Sequence, residues 1–234
     1  AKAMGLFAEA YRRLYETTGD EQYLEKAQEA LRWLRSNPSR GYAGLCWGYP
    51  FHWQSRILIP RDTPSAVVST TVGAAFWGFY QMTAEREYLD DCQRICEFLV
   101  RDLNKYSLGD GGLCFSYTPL DNFHVHNANL FVADFLIKIG LEIEREEYID
   151  LGRRAVAYTL REQNEDGSIC YWGRDQSNSC HIDQYHSGFE LRSLHSIWKT
   201  TSDSFVETAL RRYYDFYCSH LFTEHGLPKA TPES

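Results

Sequence analysis

Two histidines at the starts of predicted helices are the side chains best suited to proton transfer. His126 belongs to the motif HVHNAN, and His186 belongs to DQYHSGFE. Imidazole titrates near neutral pH, so a histidine can both remove and return a proton. His186 and Glu190 are four residues apart and therefore share one helix face, and Asp183 precedes them in the same motif. We predict His126 and His186 as acid/base groups, with Glu190 or Asp183 as the partner carboxylate.

These residue types fit more than one reaction. Epimerisation at a carbon next to a carbonyl needs one group that removes a proton and another that returns it. Glycosidic hydrolysis needs two carboxyl groups beside the bond, and Asp183 and Glu190 are the candidates for that role. The structural alternative is that His126 satisfies a buried carbonyl and that Glu190 belongs to an ion pair that holds its helix.

The residues around these motifs are suited to holding a sugar. Aromatic faces stack on sugar rings, and a guanidinium offers two parallel N–H donors to a carboxylate. An asparagine at a helix start can cap the helix, where free N–H groups suit an anion or a sugar hydroxyl. The alternative is loops packed by their own aromatic side chains. The predicted binding residues are Trp47, Tyr49, His52, Trp53, Arg56, Asn127, Asn129, Tyr171, Trp172, Arg174 and Tyr185.

Several functional classes are disfavoured by composition and by missing motifs. The net charge of −8 argues against nucleic acid as a partner, because phosphate binding needs clustered Lys and Arg. No apolar run is long enough for a transmembrane helix. The absence of CxxC and HExxH spacing argues against a metal site, and the absence of GxSxG, Walker A and GxGxxG disfavours serine hydrolases and nucleotide cofactors. We therefore predict no metal and no cofactor.

The seven cysteines form no regular framework. An odd number without even spacing favours free thiols and a reducing compartment, so the sequence predicts a cytoplasmic protein. Three of the cysteines (Cys46, Cys114 and Cys170) occupy equivalent positions in three loops, and we interpret them as small apolar residues in a repeated turn.

The elements that must position these residues are paired helices. Apolar residues at helical spacing predict helices at about 5–18, 21–36, 64–83, 86–103, 126–140, 145–162, 185–200 and 203–220. An aromatic or aliphatic pair such as Tyr23-Leu24 recurs in the second helix of each hairpin at intervals of roughly 60 residues, which is typical of a helical array. Short links alternate with long loops, and the candidate site residues lie in the long loops and at the helix starts that follow them.

The first helices of the later hairpins are nearly apolar all round, whereas the second helices carry charge on one side. Inner helices surrounded by outer helices predict an all-α protein, an (α/α) toroid or an incomplete toroid of four antiparallel hairpins. We expect residues 1–234 to be a single domain of this kind and a piece of a longer protein, because closed toroids have more hairpins. If the array is complete, its exposed ends favour homo-oligomers.

The hairpins with their Gly-aromatic loops resemble the six-hairpin (α/α) barrel proteins of carbohydrate metabolism. Within that superfamily they are similar to N-acylglucosamine 2-epimerases, unsaturated glucuronyl hydrolases and the helical domain of glucuronyl C5-epimerases. The motifs CWGYPF at 46–51, HNANL at 126–130 and DGS at 166–168 resemble an uncharacterised group associated with polysaccharide biosynthesis. The turn at Asp166 also resembles terpenoid cyclases and prenyltransferases, but the Asp-rich diphosphate motif of those enzymes is absent.

The resemblance implies a carbohydrate ligand and a role in polysaccharide metabolism. The predicted function is acid/base chemistry on a sugar or a uronic-acid-containing glycan, with epimerisation placed before hydrolysis or elimination. The alternative from another class is a non-catalytic glycan-binding or scaffold module, and a terpenoid cyclase or prenyltransferase is the less favoured enzyme.

Overall fold

The computed structural model describes residues 1–109 and 111–234. Eight helices and four short strands are present in this described part, and each predicted helix is found with ends that differ by a few residues at most. The helices are α1 Lys2–Thr18, α2 Glu21–Ser36, α3 Ala66–Thr83, α4 Arg86–Arg101, α5 His126–Glu142, α6 Glu146–Arg161, α7 Gln184–Thr201 and α8 Ser204–His220. The strands are β1 Trp53–Gln54, β2 Leu58–Ile59, β3 Lys105–Ser107 and β4 Leu113–Phe115.

The link between α1 and α2 folds into a tight turn because its residues cap both helices. Gly19 has φ 70°, and its N–H bonds to the carbonyl of Tyr15, which closes the end of α1. The next residue, Asp20, accepts a hydrogen bond from the N–H of Gln22 and so begins α2. A glycine in the left-handed region followed by an acidic N-cap is the expected chemistry for such a link.

The helices form two compact units. In the first unit, residues 1–104 with 118–121, α1 packs on α2 and α3, and α3 packs on α4. A Cβ on Gly5 would lie 3.1 Å from the Cα of Val72, so the glycine allows α1 to approach α3 closely.

The second unit, residues 105–117 with 122–234, holds most of the predicted site residues. In it α5 packs on α6 and α7, α7 packs on α8, and β4 lies against α6. Gly152 of α6 makes the close approach to α5 possible, because a Cβ there would lie 2.6 Å from the side chain of Ile137.

The pattern of burial differs between the first and second helices of a hairpin, as the sequence predicts. α3 and α5 are buried along most of their length, including polar residues such as Ser69 and Asn129. α4 and α6 instead have one buried and one charged face. Amphipathic second helices beside nearly apolar first helices confirm the all-α hairpin prediction.

The long loops contain short pairings that the sequence analysis did not predict. β1 pairs with β2, and β3 pairs with β4, both antiparallel. Two isolated bridges, Gly48 with Pro64 and Val125 with Trp172, fix the chain just before α3 and α5. Among the described helices, none is both long enough and apolar enough to cross a membrane.

Candidate functional site

The start of α7 brings a histidine and a carboxylate into direct contact. Asp183 is the N-cap of α7, and its Oδ1 accepts a hydrogen bond from the N–H of His186 at 2.8 Å. The other oxygen, Oδ2, lies 2.6 Å from Nδ1 of the same imidazole. The spacing of three residues therefore serves two purposes, since one carboxylate begins the helix and orients the ring.

A second imidazole faces the same carboxylate. Nε2 of His181 lies 3.4 Å from Oδ2 of Asp183. The side chains of His181 and His186 are 56% and 32% exposed, whereas that of Asp183 is 17% exposed. The sequence analysis did not select His181 as a site residue. The signal that could have identified it is its position two residues before a helix-capping aspartate.

The environment keeps Asp183 ionised. Burial alone would raise the pKa of this carboxyl, but the hydrogen bonds from the backbone and ring of His186, together with the charges of the two imidazoles, outweigh it and lower the pKa. An ionised Asp183 accepts a proton-bearing Nδ1, which leaves Nε2 of a neutral His186 with the lone pair. This arrangement suits a general base.

Aromatic rings surround this pair. The ring of Tyr171 lies 4.5 Å from that of His186, and the ring of Tyr185 lies 5.4 Å from it on another side. Trp172 stands perpendicular to Tyr171 at 5.2 Å. Tyr185 is 62% exposed, so the aromatic group is open to solvent. Rings of this kind offer flat apolar surfaces to a sugar.

The loop that carries Tyr171 and Trp172 is fixed on two sides. On one side it pairs with the chain before α5, where the N–H of His126 bonds to the carbonyl of Tyr171 at 3.2 Å. On the other side the N–H of Tyr171 bonds to the carbonyl of His181 at 2.8 Å. A disulfide between Cys170 and Cys180 closes the same loop.

His126, the other predicted acid/base residue, lies in the interior. It is 0% exposed, with Nδ1 3.2 Å from Oγ1 of Thr159 and Nε2 3.0 Å from Oε2 of Glu162. Burial favours the neutral form of Glu162, but hydrogen bonds from His126 and from the N–H of Arg174 outweigh it and lower the pKa of the carboxyl. The side chain of His126 therefore contacts the end of α6, and it is not part of the pair of His186 and Asp183 at the start of α7.

The two asparagines of the same motif do not cap α5. The N-cap is Val125, whose side chain makes no capping bond, so the predicted capping by Asn127 is wrong. Asn127 is buried in the first turn. Asn129 accepts from the N–H of Phe115 at 3.0 Å and donates to the carbonyl of Ala155 at 2.8 Å. It thereby satisfies backbone groups of β4 and α6.

A second histidine–carboxylate pair lies near His126. Nδ1 of His124 is 2.8 Å from Oδ2 of Asp175, and the ring of Tyr106 stacks on the same imidazole at 4.3 Å. Tyr158 lies between the two histidines, with ring centroids 6.0 Å from His124 and 5.5 Å from His126. Burial, reinforced by neighbouring carboxylates, raises the pKa of Tyr158. The sequence analysis missed this residue because it lies in a charged outer helix.

Two further predicted residues are engaged elsewhere. Glu190 is 1% exposed and accepts a hydrogen bond from the hydroxyl of Tyr213 on α8, and burial raises its pKa far above the ordinary value. The partner carboxylate of His186 is thus Asp183. The guanidinium of Arg174 donates to the carbonyl of Glu162 at 3.2 Å, which ties it to the end of α6.

The predicted residues of the first long loop belong to the first unit. Trp47 is 1% exposed, and its indole N–H donates to the carbonyl of Leu34 at 3.1 Å, so it is a core residue in the structure. Tyr49 stacks on Phe51 at 5.4 Å and meets Trp53 edge-on at 6.1 Å.

Two polar residues of that loop lie at its surface. Nδ1 of His52 accepts from the N–H of Arg61 at 3.2 Å, and the side chain of Arg56 is exposed. The aromatic contacts of this loop fit the structural alternative, in which the loop is packed by its own aromatic residues.

Two of the cysteines form a disulfide that the sequence analysis did not predict. Cys170 and Cys180 are joined, so the prediction of free thiols is wrong for these two, and the argument for a cytoplasmic location that depended on it no longer holds. Four other cysteines of the described residues are buried thiols outside any disulfide, and burial raises the pKa of Cys46 to about 12. Within the described ranges, no group of three or more His, Cys, Asp or Glu residues could hold a metal ion.

Solved structures with the same arrangement of helices are sugar-processing proteins. A cellobiose 2-epimerase from Spirochaeta thermophila superposes with a TM-score of 0.77 at 14% identity, covering 98% of this chain and 61% of that protein. A D-mannose isomerase gives 0.72 at 13% identity, covering 99% and 62%. An unsaturated glucuronyl hydrolase from Bacillus sp. GL1 gives 0.73 at 11% identity, covering 98% and 60%.

These likenesses show that the chain has the (α/α) toroid fold. The chain spans about three fifths of the length of each of those structures. No protein-family model and no curated protein sequence matches it.

Proposed function

We propose that this protein acts on a sugar by acid/base chemistry at the start of α7, and that the reaction is epimerisation next to a carbonyl. The observation that carries the proposal is the half-exposed imidazole of His186, held at 2.6 Å by Asp183 among aromatic rings. An oriented imidazole with an ionised partner is the arrangement that proton transfer at neutral pH requires.

In this mechanism Nε2 of His186 removes the proton from the carbon beside the sugar carbonyl. The electron pair of the broken C–H bond moves toward the carbonyl oxygen, and the imidazolium is stabilised by Asp183. A proton is then returned to the opposite face of the carbon, which inverts the centre. His181 is the second imidazole within reach of the same carboxylate and is our assignment for the returning acid.

The aromatic rings supply the binding surface. Tyr185 is exposed, and Tyr171 and Trp172 are half-buried beside it. Stacking on aromatic rings orients a sugar with few charged contacts. We therefore propose a sugar or a uronic-acid-containing glycan as the substrate. The sugar epimerases and isomerases among the structural neighbours support this substrate class, and a place in polysaccharide metabolism belongs to the same proposal.

Hydrolysis is the weaker alternative. It needs two carboxyl groups facing the same glycosidic bond. Asp183 is bonded to histidine, whereas Glu190 is fully buried against Tyr213. The pair therefore does not flank a solvent-accessible space, and the geometry favours proton transfer by imidazole over two-carboxylate chemistry.

The test separates an enzyme from a glycan-binding module. Purified protein is titrated with hexoses, N-acetylhexosamines and hexuronic acids, and binding and epimer formation are measured for each variant. We expect His186→Gln to lower turnover about 100-fold or more while binding changes little, since general base catalysis contributes factors of this size.

The matched control is His195→Gln, a histidine of the same helix whose exposed ring contacts Trp198 and not the Asp183 pair. That variant should keep both binding and turnover. A sugar that binds without any turnover in the unaltered protein would instead identify a binding module.

A further inference from the structure

The disulfide beside the candidate site is accessible on one side. Cys180 is exposed, whereas Cys170 is 9% exposed. The side-chain amide of Asn164 lies 3.6 Å from the sulfur of Cys170 and 3.9 Å from that of Cys180. A small thiol can therefore reach the bond through Cys180, because thiol–disulfide exchange requires access to a sulfur atom.

The disulfide divides its loop into two parts that are anchored differently. The part nearer Cys170 is held by the chain before α5, through the bridge of Trp172 with Val125 and the pairing of Asp175 with His124. Neither of these contacts involves the disulfide.

The other part, residues 176–181, contains no helix or strand in the structure. Its end is fixed by the disulfide at Cys180 and by the bond from the N–H of Tyr171 to the carbonyl of His181. A single backbone hydrogen bond of this kind contributes little to stability, so the covalent link is the stronger restraint.

We propose that the disulfide between Cys170 and Cys180 is a redox-controlled latch that keeps His181 beside Asp183. In the oxidised protein the latch places the second imidazole 3.4 Å from the carboxylate. Reduction releases residues 176–181 and takes His181 away, while His186 stays in its helix. The effect on turnover rests on the proposed function, in which His181 returns the proton.

The chemical step is an ordinary two-electron exchange with a small dithiol. A thiolate of the dithiol attacks the exposed sulfur of Cys180, the bond between the two protein sulfurs breaks, and a mixed disulfide forms. The second thiol of the reagent then closes its own disulfide and releases Cys180. The dithiol is oxidised, both protein cysteines become thiols, and the two protons come from the reagent.

The experiment measures hydrogen exchange and turnover in the same samples. Amide exchange is followed by mass spectrometry with and without a dithiol, for the unaltered protein, Cys180→Ser and Cys218→Ser. We expect reduction or Cys180→Ser to speed exchange at residues 176–181 by about tenfold or more, with little change at 124–126. Cys218, the exposed free cysteine on α8, is the matched control and should leave the redox response intact.

A second readout follows His181 directly. The NMR chemical shifts of its ring protons, assigned with His181→Gln, should change on reduction because the imidazole leaves Asp183. Unchanged exchange at 176–181, or an unchanged His181 signal, would overturn the latch.

The two proposals fail in different ways. If no sugar reacts in either redox state but His181 moves on reduction, the proposed function fails and the latch stands. If His181 moves on reduction but a sugar is turned over equally fast in both states, the functional part of the latch and the assignment of His181 as the returning acid are both overturned, whereas proton abstraction by His186 stands.

Discussion

At the scale of single residues, the site depends on which carboxylate each histidine meets. The sequence left Asp183 and Glu190 as alternatives, since both lie within one helical turn of His186. The structure separates them, because the second carboxylate oxygen of the N-cap residue Asp183 contacts the ring of His186, whereas Glu190 accepts a hydrogen bond from Tyr213. A residue on another helix cannot be found by spacing along the chain, which is why Glu162 as the partner of His126 was not predicted.

Two substitutions of Asp183 distinguish its roles. Asn is as good an N-cap as Asp, so Asp183→Asn should keep the stability of α7, whereas Asp183→Ala should lower the free energy of unfolding by about 1 kcal/mol. Both should reduce epimerisation about 100-fold or more, because neither leaves a charged partner for the imidazole. Urea denaturation and turnover assays check the two effects. Equal turnover in Asp183→Asn and the unaltered protein would contradict the assigned role.

Glu190 should make the protein less stable as the pH rises. Its folded pKa is raised by burial, so its stability contribution is fully present below the unfolded value of about 4.3 and is lost as the pH rises toward the folded pKa. Glu190→Gln removes this titration. We therefore expect the variant to match the unaltered protein at pH 4 and to exceed it by on the order of 1 kcal/mol at pH 7. Chemical denaturation across that range measures the difference, and a constant gap would contradict the explanation.

At the scale of elements, the sequence predicted the helices well and the connections poorly. A link such as Gly19 followed by Asp20 marks both the end of one helix and the start of the next. The helix boundaries could therefore be predicted from the capping residues. The strands are two or three residues long, too short for an alternating pattern to reveal them. The disulfide between Cys170 and Cys180 was also missed, because sequence does not determine which cysteines meet.

Asn129 of α5 is hydrogen-bonded to β4 and to α6, so its replacement should destabilise the protein. Asn129→Ala would leave the buried N–H of Phe115 without its partner and would remove the additional hydrogen bond to the carbonyl of Ala155, which lies inside α6. An unsatisfied buried N–H costs about 1–3 kcal/mol and a lost hydrogen bond about 1 kcal/mol, so we expect a loss of about 2–4 kcal/mol in the free energy of unfolding. Asn178→Ala, at an exposed loop position, is the control and should change stability by less than about 0.5 kcal/mol. Similar losses in both variants would show that the bonds of Asn129 are not the cause.

At the scale of the whole molecule, the repeat of hairpins made the fold class predictable before any contact was known. Each hairpin repeats the same apolar positions, and the comparisons confirm the toroid class that this repetition indicated. The reaction was less predictable, since one fold carries epimerases, isomerases, hydrolases and lyases.

Self-association is a prediction at this scale as well. Leu6, Phe7 and Leu14 of α1 are 53%, 56% and 41% exposed, which is unusual for large apolar side chains on one helix. Phe7→Glu should weaken any oligomer that uses this surface without unfolding the protein, because the side chain is outside the core. Light scattering after size-exclusion chromatography gives the mass of both forms. A monomer for the unaltered protein at high concentration would contradict the prediction.

The most direct measurement of the central claim is the exchange of a sugar carbon-bound proton with solvent. The unaltered, oxidised protein is incubated in D₂O with the panel of hexoses, N-acetylhexosamines and hexuronic acids, and the carbon next to the carbonyl is followed by NMR. Acid/base chemistry at His186 predicts that deuterium enters this position in at least one sugar and that the inverted epimer accumulates. If a sugar binds at saturation to the folded protein and no deuterium enters, the claim of proton transfer is contradicted.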